Sequence, residues 1–91
     1  MNGKNVYLIT FRSVTYAQRG ERLLNRWGER CSLKRTPRWM EERGCGYCLQ
    51  LRQRDVGASL ILLQENGIPF SKIYRKEENG TVREVQRDLF G

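Results

Sequence analysis

Two stretches of the chain each pass from strand periodicity to helix periodicity and back, and this doubled change restricts the fold more than any other feature. Asn5-Val6-Tyr7-Leu8-Ile9-Thr10-Phe11 is rich in branched and aromatic residues that suit a pleated surface. Behind it Ala17, Gly20, Leu24 and Trp27 recur at three- and four-residue steps, with Leu23 widening the stripe. Ser13 or Thr15 is placed to cap the start of this helix, and Gly28 to give it a left-handed stop. Cys31 to Thr36 reads as a short second strand ending at Pro37, which has no N–H for a ladder. Gly46 to Arg52 alternates, with Tyr47, Leu49 and Leu51 on one face and Cys48, Gln50 and Arg52 on the other. Asp55 is placed to cap a second helix over 56–65, in which Val56, Leu60 and Leu63 share a face before Asn66-Gly67 ends it. Ile68 to Arg75 reads as a fourth strand, and Asn79-Gly80 signals a tight turn before Thr81 to Val85, a hairpin partner or a frayed extension.

The order strand, helix, strand, strand, helix, strand predicts an α+β fold of the ferredoxin-like, split βαβ kind (βαββαβ). That plan has a four-stranded antiparallel sheet with both helices on one face, here with a possible C-terminal hairpin strand. The 91 residues suit one domain, with a core over about residues 5–85 and a loose tail over 86–91. Leu60-Ile61-Leu62-Leu63, the longest apolar run, is far too short for a bilayer, and Met1 to Asn5 lacks the apolar centre of a signal peptide. The expected setting is the cytoplasm, with no membrane contact.

Three cysteines, an odd number, argue against a fully paired disulfide framework and fit a reducing compartment. Two of them, Cys45 and Cys48, lie three positions apart in Glu42-Arg43-Gly44-Cys45-Gly46-Tyr47-Cys48. From position 30 to 54 seven residues are basic (Arg30, Lys34, Arg35, Arg38, Arg43, Arg52, Arg54) and two acidic (Glu41, Glu42), a local excess of five positive charges. Cations favour thiolate over thiol, and Gly44 and Gly46 remove side chains that would block an incoming atom. Cys45 is therefore the candidate nucleophile. Cys48, on the strand face opposite Leu49, is the candidate resolving thiol, and Arg43, Arg52, Arg35 and Arg38 are candidates to stabilise the anion. The plain alternative is that Cys45 and Cys48 are small apolar residues of a turn and strand, and the lone Cys31 reads as structural.

Other chemistries are poorer fits. A zinc site formed by Cys31, Cys45 and Cys48 lacks a fourth ligand, because the chain has no histidine; a carboxylate or a second chain would have to complete it. The thioredoxin arrangement opens a helix with its cysteine pair, whereas this pair opens a strand. Without histidine there is no Ser-His or Cys-His dyad, and neither a P-loop nor a dinucleotide fingerprint is present. No cofactor is expected. The formal charge of +7 would also suit a module that binds RNA or another polyanion, with Trp39, Tyr47 and Phe11 as stacking aromatics, although the usual RNA-binding aromatic pattern is missing. A dimeric structural or regulatory protein sharing zinc between copies is a third reading.

The passage Tyr7-Leu8-Ile9-Thr10-Phe11-Arg12-Ser13 into a helix, Pro37 after the second strand, and Cys45-Gly46 opening the third resemble the selenium/sulfur carrier protein-like family. These are small bacterial and archaeal proteins, and the likeness in element order covers about residues 5–75. The resemblance implies a carrier that takes a sulfur or selenium atom from a cysteine desulfurase type donor and hands it to an acceptor protein. Cys45 would be the atom-carrying residue, with Pro37 and Gly46 as its structural companions. Cys48 and the strong basicity are not part of that pattern. A monomer and a homodimer are both compatible with it.

Overall fold

A computed structural model describes residues 6–37 and 46–86. Its elements are β1 (Val6–Thr10), α1 (Val14–Arg26), β2 (Cys31–Arg35), β3 (Tyr47–Arg52), α2 (Val56–Glu65), β4 (Ile73–Lys76) and β5 (Val82–Val85). The strands form one antiparallel sheet in the order β2-β3-β1-β4-β5. The fold is thus α+β, as expected, but the sheet has five strands rather than four, because the segment after Asn79-Gly80 pairs fully with β4. Gly80 adopts φ +92, Gly80 N–H donates to Glu77 O at 2.9 Å, and Glu77 N–H donates to Thr81 O at 2.8 Å, which closes the hairpin.

The alternation in β1 and β3 decides which face is covered. Tyr7, Ile9 and Phe11 join Leu49, Leu51 and Ile73 in a buried cluster with Ala17 and Leu24 of α1 and Val56, Leu60 and Leu63 of α2, so both helices pack on the same side. On the other side Leu8, Cys48 and Tyr74 form a smaller buried cluster with Val82 against it. Each helix ends by the same device. Glu29 N–H reaches Leu24 O at 2.8 Å and Gly28 N–H reaches Asn25 O at 3.2 Å, while Ile68 and Gly67 make the equivalent bonds to Leu63 and Gln64. These are paired Schellman bonds around left-handed glycines at 28 and 67, and Ile68 and Leu63 add the apolar contact that accompanies them.

Three local expectations need correction, and one open choice is decided. Trp27 does not extend the apolar stripe of α1; the helix turns out of its path at Gly28, leaving Trp27 as the C-cap and 63% exposed. Ser13, not Thr15, caps α1, its hydroxyl accepting from Tyr16 N–H at 3.2 Å. Asp55 makes no capping bond, because Gln53–Asp55 already wind as a 3-10 turn and leave its backbone helical, whereas a cap needs the extended conformation. β4 begins at Ile73 and not at Ile68. Pro69 has no N–H to offer, and the chain meets β1 there at its end, through Ser71 N–H to Thr10 O (2.7 Å), Thr10 N–H to Lys72 O (2.9 Å) and Lys72 N–H to the Thr10 hydroxyl (3.0 Å).

Candidate functional site: the cysteine-bearing hairpin

β2 and β3 form the hairpin that carries all three cysteines in or beside it. Its register pairs Cys31 with Leu51, Leu33 with Leu49 and Arg35 with Tyr47 on the helix side, and Ser32 with Gln50 and Lys34 with Cys48 on the other. One more bond lies past the last pair, from Thr36 N–H to Gly46 O at 2.8 Å, with Thr36 itself buried. Gly46 holds φ +83. A left-handed backbone there is open to glycine and strained for a residue with a Cβ, which explains why glycine, and not a larger residue, follows Cys45. Gly46→Ala is expected to lower stability by about 1–2 kcal/mol, seen as an earlier urea midpoint. An unchanged midpoint would show that the hairpin can close without the left-handed residue.

Pro37 is exposed, immediately after Thr36. Cys45, Gly44, Arg38 and Arg43 lie outside the described residues, as does Trp39. The guanidinium of Arg35 lies 5.3 Å from the centroid of the Tyr47 ring and donates to its hydroxyl at 3.2 Å, so it stays at the closing end of the hairpin beside Gly46. Arg52 is at the opposite end of β3. Five steps along the strand, about 17 Å, separate it from Tyr47, so Arg52 does not lie with Arg35 at the Gly46 end of the hairpin.

The two described thiols are both unsuited to attack. Cys48 does stand on the face opposite Leu49, as expected, between Thr10 and Lys34 in register, but it has no exposed surface. Cys31 is half-buried on the helix side. Asn25 brackets its backbone, accepting from Cys31 N–H at 3.3 Å and donating to Cys31 O at 3.4 Å, and its thiol points at Glu21 O at 3.9 Å. Burial, helped by the nearby Glu21 charge, pushes the Cys31 thiol up to about 12, well clear of physiological pH.

The register also corrects the metal alternative. Cys31 and Cys48 project from opposite faces of one sheet, so a single ion cannot take both, and the set Cys31, Cys45, Cys48 is not a site. Among the described residues no group of three His, Cys, Asp or Glu side chains is placed to hold a metal ion. The stacking surface proposed for RNA is corrected as well: Phe11 is fully buried in the core, and Tyr47 packs against that core beneath Arg35. Sequence reasoning counted Lys34 only as one of many basic residues and passed over Thr36. Alternation within 31–35, set against 47–51, is the signal that brings Lys34 beside Cys48. Among the described residues no helix is long and apolar enough to cross a membrane.

The family model described as "Putative Se/S carrier protein-like" matches residues 6–75, from the start of β1 to the next-to-last residue of β4. No curated protein and no solved structure matches the chain.

Proposed function

The chain belongs to the Se/S carrier protein-like family, and we propose that within it Cys45 is the residue that carries the sulfur or selenium atom. The observation that supports this is the withdrawal of the other two thiols: Cys31 is held protonated to about pH 12 and Cys48 has no accessible surface. Transfer chemistry needs a thiolate that can be reached, and of three cysteines only Cys45 is left to supply one. Gly46 and the Thr36–Gly46 bond fix the chain directly after it. Arg35, with Arg38 and Arg43 nearby in sequence, supplies positive charge for the anion.

The step is an exchange. The Cys45 thiolate attacks the outer sulfur of a donor persulfide; a new S–S bond forms on Cys45, the donor's S–S bond breaks, and the donor leaves as a thiolate. An acceptor nucleophile then takes the outer atom and Cys45 leaves as thiolate, with no net redox change in the carrier. In a dithiol variant Cys48 attacks the inner sulfur of Cys45, forming a disulfide and releasing hydrosulfide. That variant requires Cys48 to leave its buried place beside Leu8 and Tyr74. The partners are a donor of the cysteine desulfurase type and an acceptor protein, and the setting is the cytoplasm. The order β2-β3-β1-β4 supports reading the scaffold as a split βαβ unit of the ferredoxin-like kind with β5 appended.

Intact mass after incubation with a cysteine desulfurase and cysteine tests the reading. The reduced protein should gain one sulfur atom, Cys31→Ser and Cys48→Ser should gain it too, and Cys45→Ser should not. Sulfur retained by a folded Cys45→Ser protein would overturn the assignment. Hydrosulfide released by the parent protein but not by Cys48→Ser would identify the dithiol variant.

A further inference from the structure

The outer face of α1 carries a feature for which the thiol chemistry has no use. Arg19, Arg22 and Arg26 are all exposed, and their spacing of three and four residues sets them in one row. At 1.5 Å per residue the row is about 10 Å long, with its members inside an arc of roughly 60°. Trp27 follows at 63% exposure, and Arg30 is exposed just past the turn. None of these four arginines has a carboxylate partner among the described residues; Glu21, the acidic residue of α1, instead raises the thiol of Cys31. A free-standing helix gains nothing from three like charges on one row, since such neighbours repel by a few tenths of a kcal/mol each.

Guanidinium groups bind phosphate and carboxylate alike, so the remaining surface must choose between them. The exposed apolar residues of α1 and its cap are only Val14 and Trp27, at opposite ends of the helix. A protein partner needs an apolar centre ringed by polar residues, and that centre is missing. Interfaces with nucleic acid are more polar and far more positive than those between proteins, and a lone exposed indole beside arginines offers a stacking surface for an unpaired base. We infer that the row Arg19, Arg22, Arg26, continued by Trp27 and Arg30, binds single-stranded nucleic acid, with phosphates along the arginines and a base on Trp27. The inference uses no thiol and stands whether or not Cys45 carries sulfur.

Fluorescence anisotropy with a labelled 12-nucleotide oligouridine, and the deoxy equivalent to separate RNA from DNA, tests the assignment on the full chain. In about 50 mM salt, Arg22→Gln/Arg26→Gln should weaken binding about tenfold and flatten the plot of log affinity against log salt by about 1.4, for two phosphate contacts at about 0.7 each. Trp27→Ala should also lose about tenfold, and Trp27→Phe should keep most of the affinity. Lys34→Gln/Lys76→Gln removes the same charge from exposed positions on the opposite face of the sheet and should change little. All these sites are exposed, and a thermal melt confirms each fold. An equal loss in the two charge-matched doubles would overturn the site in favour of general attraction. Displacement of the oligonucleotide by polyglutamate of equal charge, as effectively as by unlabelled oligonucleotide, would overturn it in favour of an acidic protein.

Discussion

Gly20→Leu should lower the denaturation midpoint sharply, whereas Gly20→Ala should move it very little. Gly20 lies mid-helix in α1 where the helix comes closest to the core: a Cβ there would stand 3.2 Å from a methyl of Leu63, 3.3 Å from a methyl of Leu49 and 3.4 Å from the ring tip of Phe11. These are ends of side chains, able to give by the few tenths of an ångström that one methyl asks. Alanine also favours a helix over glycine by about 1 kcal/mol, so crowding and propensity nearly cancel. Leucine adds three further carbons where Leu63, Leu49 and Phe11 are all fully buried. Overpacking of a well-filled core costs about 1–3 kcal/mol even for modest insertions, and a domain of this length is stable by only roughly 5–13 kcal/mol. Urea unfolding of the two variants is the measurement. A native-like midpoint for Gly20→Leu would mean that α1 does not pack against α2 and the sheet at Gly20.

That contact shows which parts of the fold were legible in the sequence. Ala17, Gly20 and Leu24 announce the buried face of α1 because helical spacing is a local property, and the ends of both helices are marked by glycines whose left-handed backbone only local chemistry requires. The faces of β3 follow from alternation for the same reason. What depends on partners was not legible. Ile68-Pro69-Phe70 has the composition of a strand, but a strand needs a neighbour to pair with along its length, and β1 is already ending at Thr10 where this segment passes. Trp27 was assigned to the core by continuing a period one step beyond the point where Gly28 breaks it.

The candidate site divides along the same line. Alternation put Cys48 on the correct face, yet no periodicity tells how deeply a face is buried, and the cluster with Leu8 and Tyr74 is assembled from three strands. Counting charges between positions 30 and 54 made Arg52 a neighbour of Cys45, whereas a strand carries each successive residue about 3.3 Å further away. Cys31 and Cys48 looked like two ligands of one set until the register placed them on opposite sides of the sheet. Gly46 reads in the sequence as a residue that clears the approach to Cys45, whereas the demand the fold makes of it is a left-handed backbone where β3 begins.

The withdrawal of Cys31 has a consequence at alkaline pH that is large in rate and definite in sign. Its thiol titrates near 12 in the native chain against an ordinary 9.0, so below pH 9.0 the folded protein holds about a thousandfold less thiolate at this position than the unfolded chain does, tenfold for each pH unit between the two values. Iodoacetamide at pH 8 should therefore modify Cys31 about a thousandfold more slowly in buffer than in urea, read by mass spectrometry of the peptide that contains it. Stability follows by linkage. A group whose pKa is raised on folding contributes stability that is complete below its unfolded value and is lost as pH rises toward its folded value. From pH 9.0 to about 12 the unfolded chain releases the Cys31 proton while the native chain keeps it, so the native protein loses stability across that window, at no more than about 1.4 kcal/mol per pH unit. Cys31→Ala removes the titrating group together with some packing. Urea midpoints of the two proteins should run parallel below pH 9 and converge above it, because only the parent has this loss to suffer. Parallel curves through pH 11, or rapid alkylation of Cys31 in the native state, would mean that the thiol is not held where Asn25 and Glu21 place it, and the case for Cys45 by elimination would fall with it.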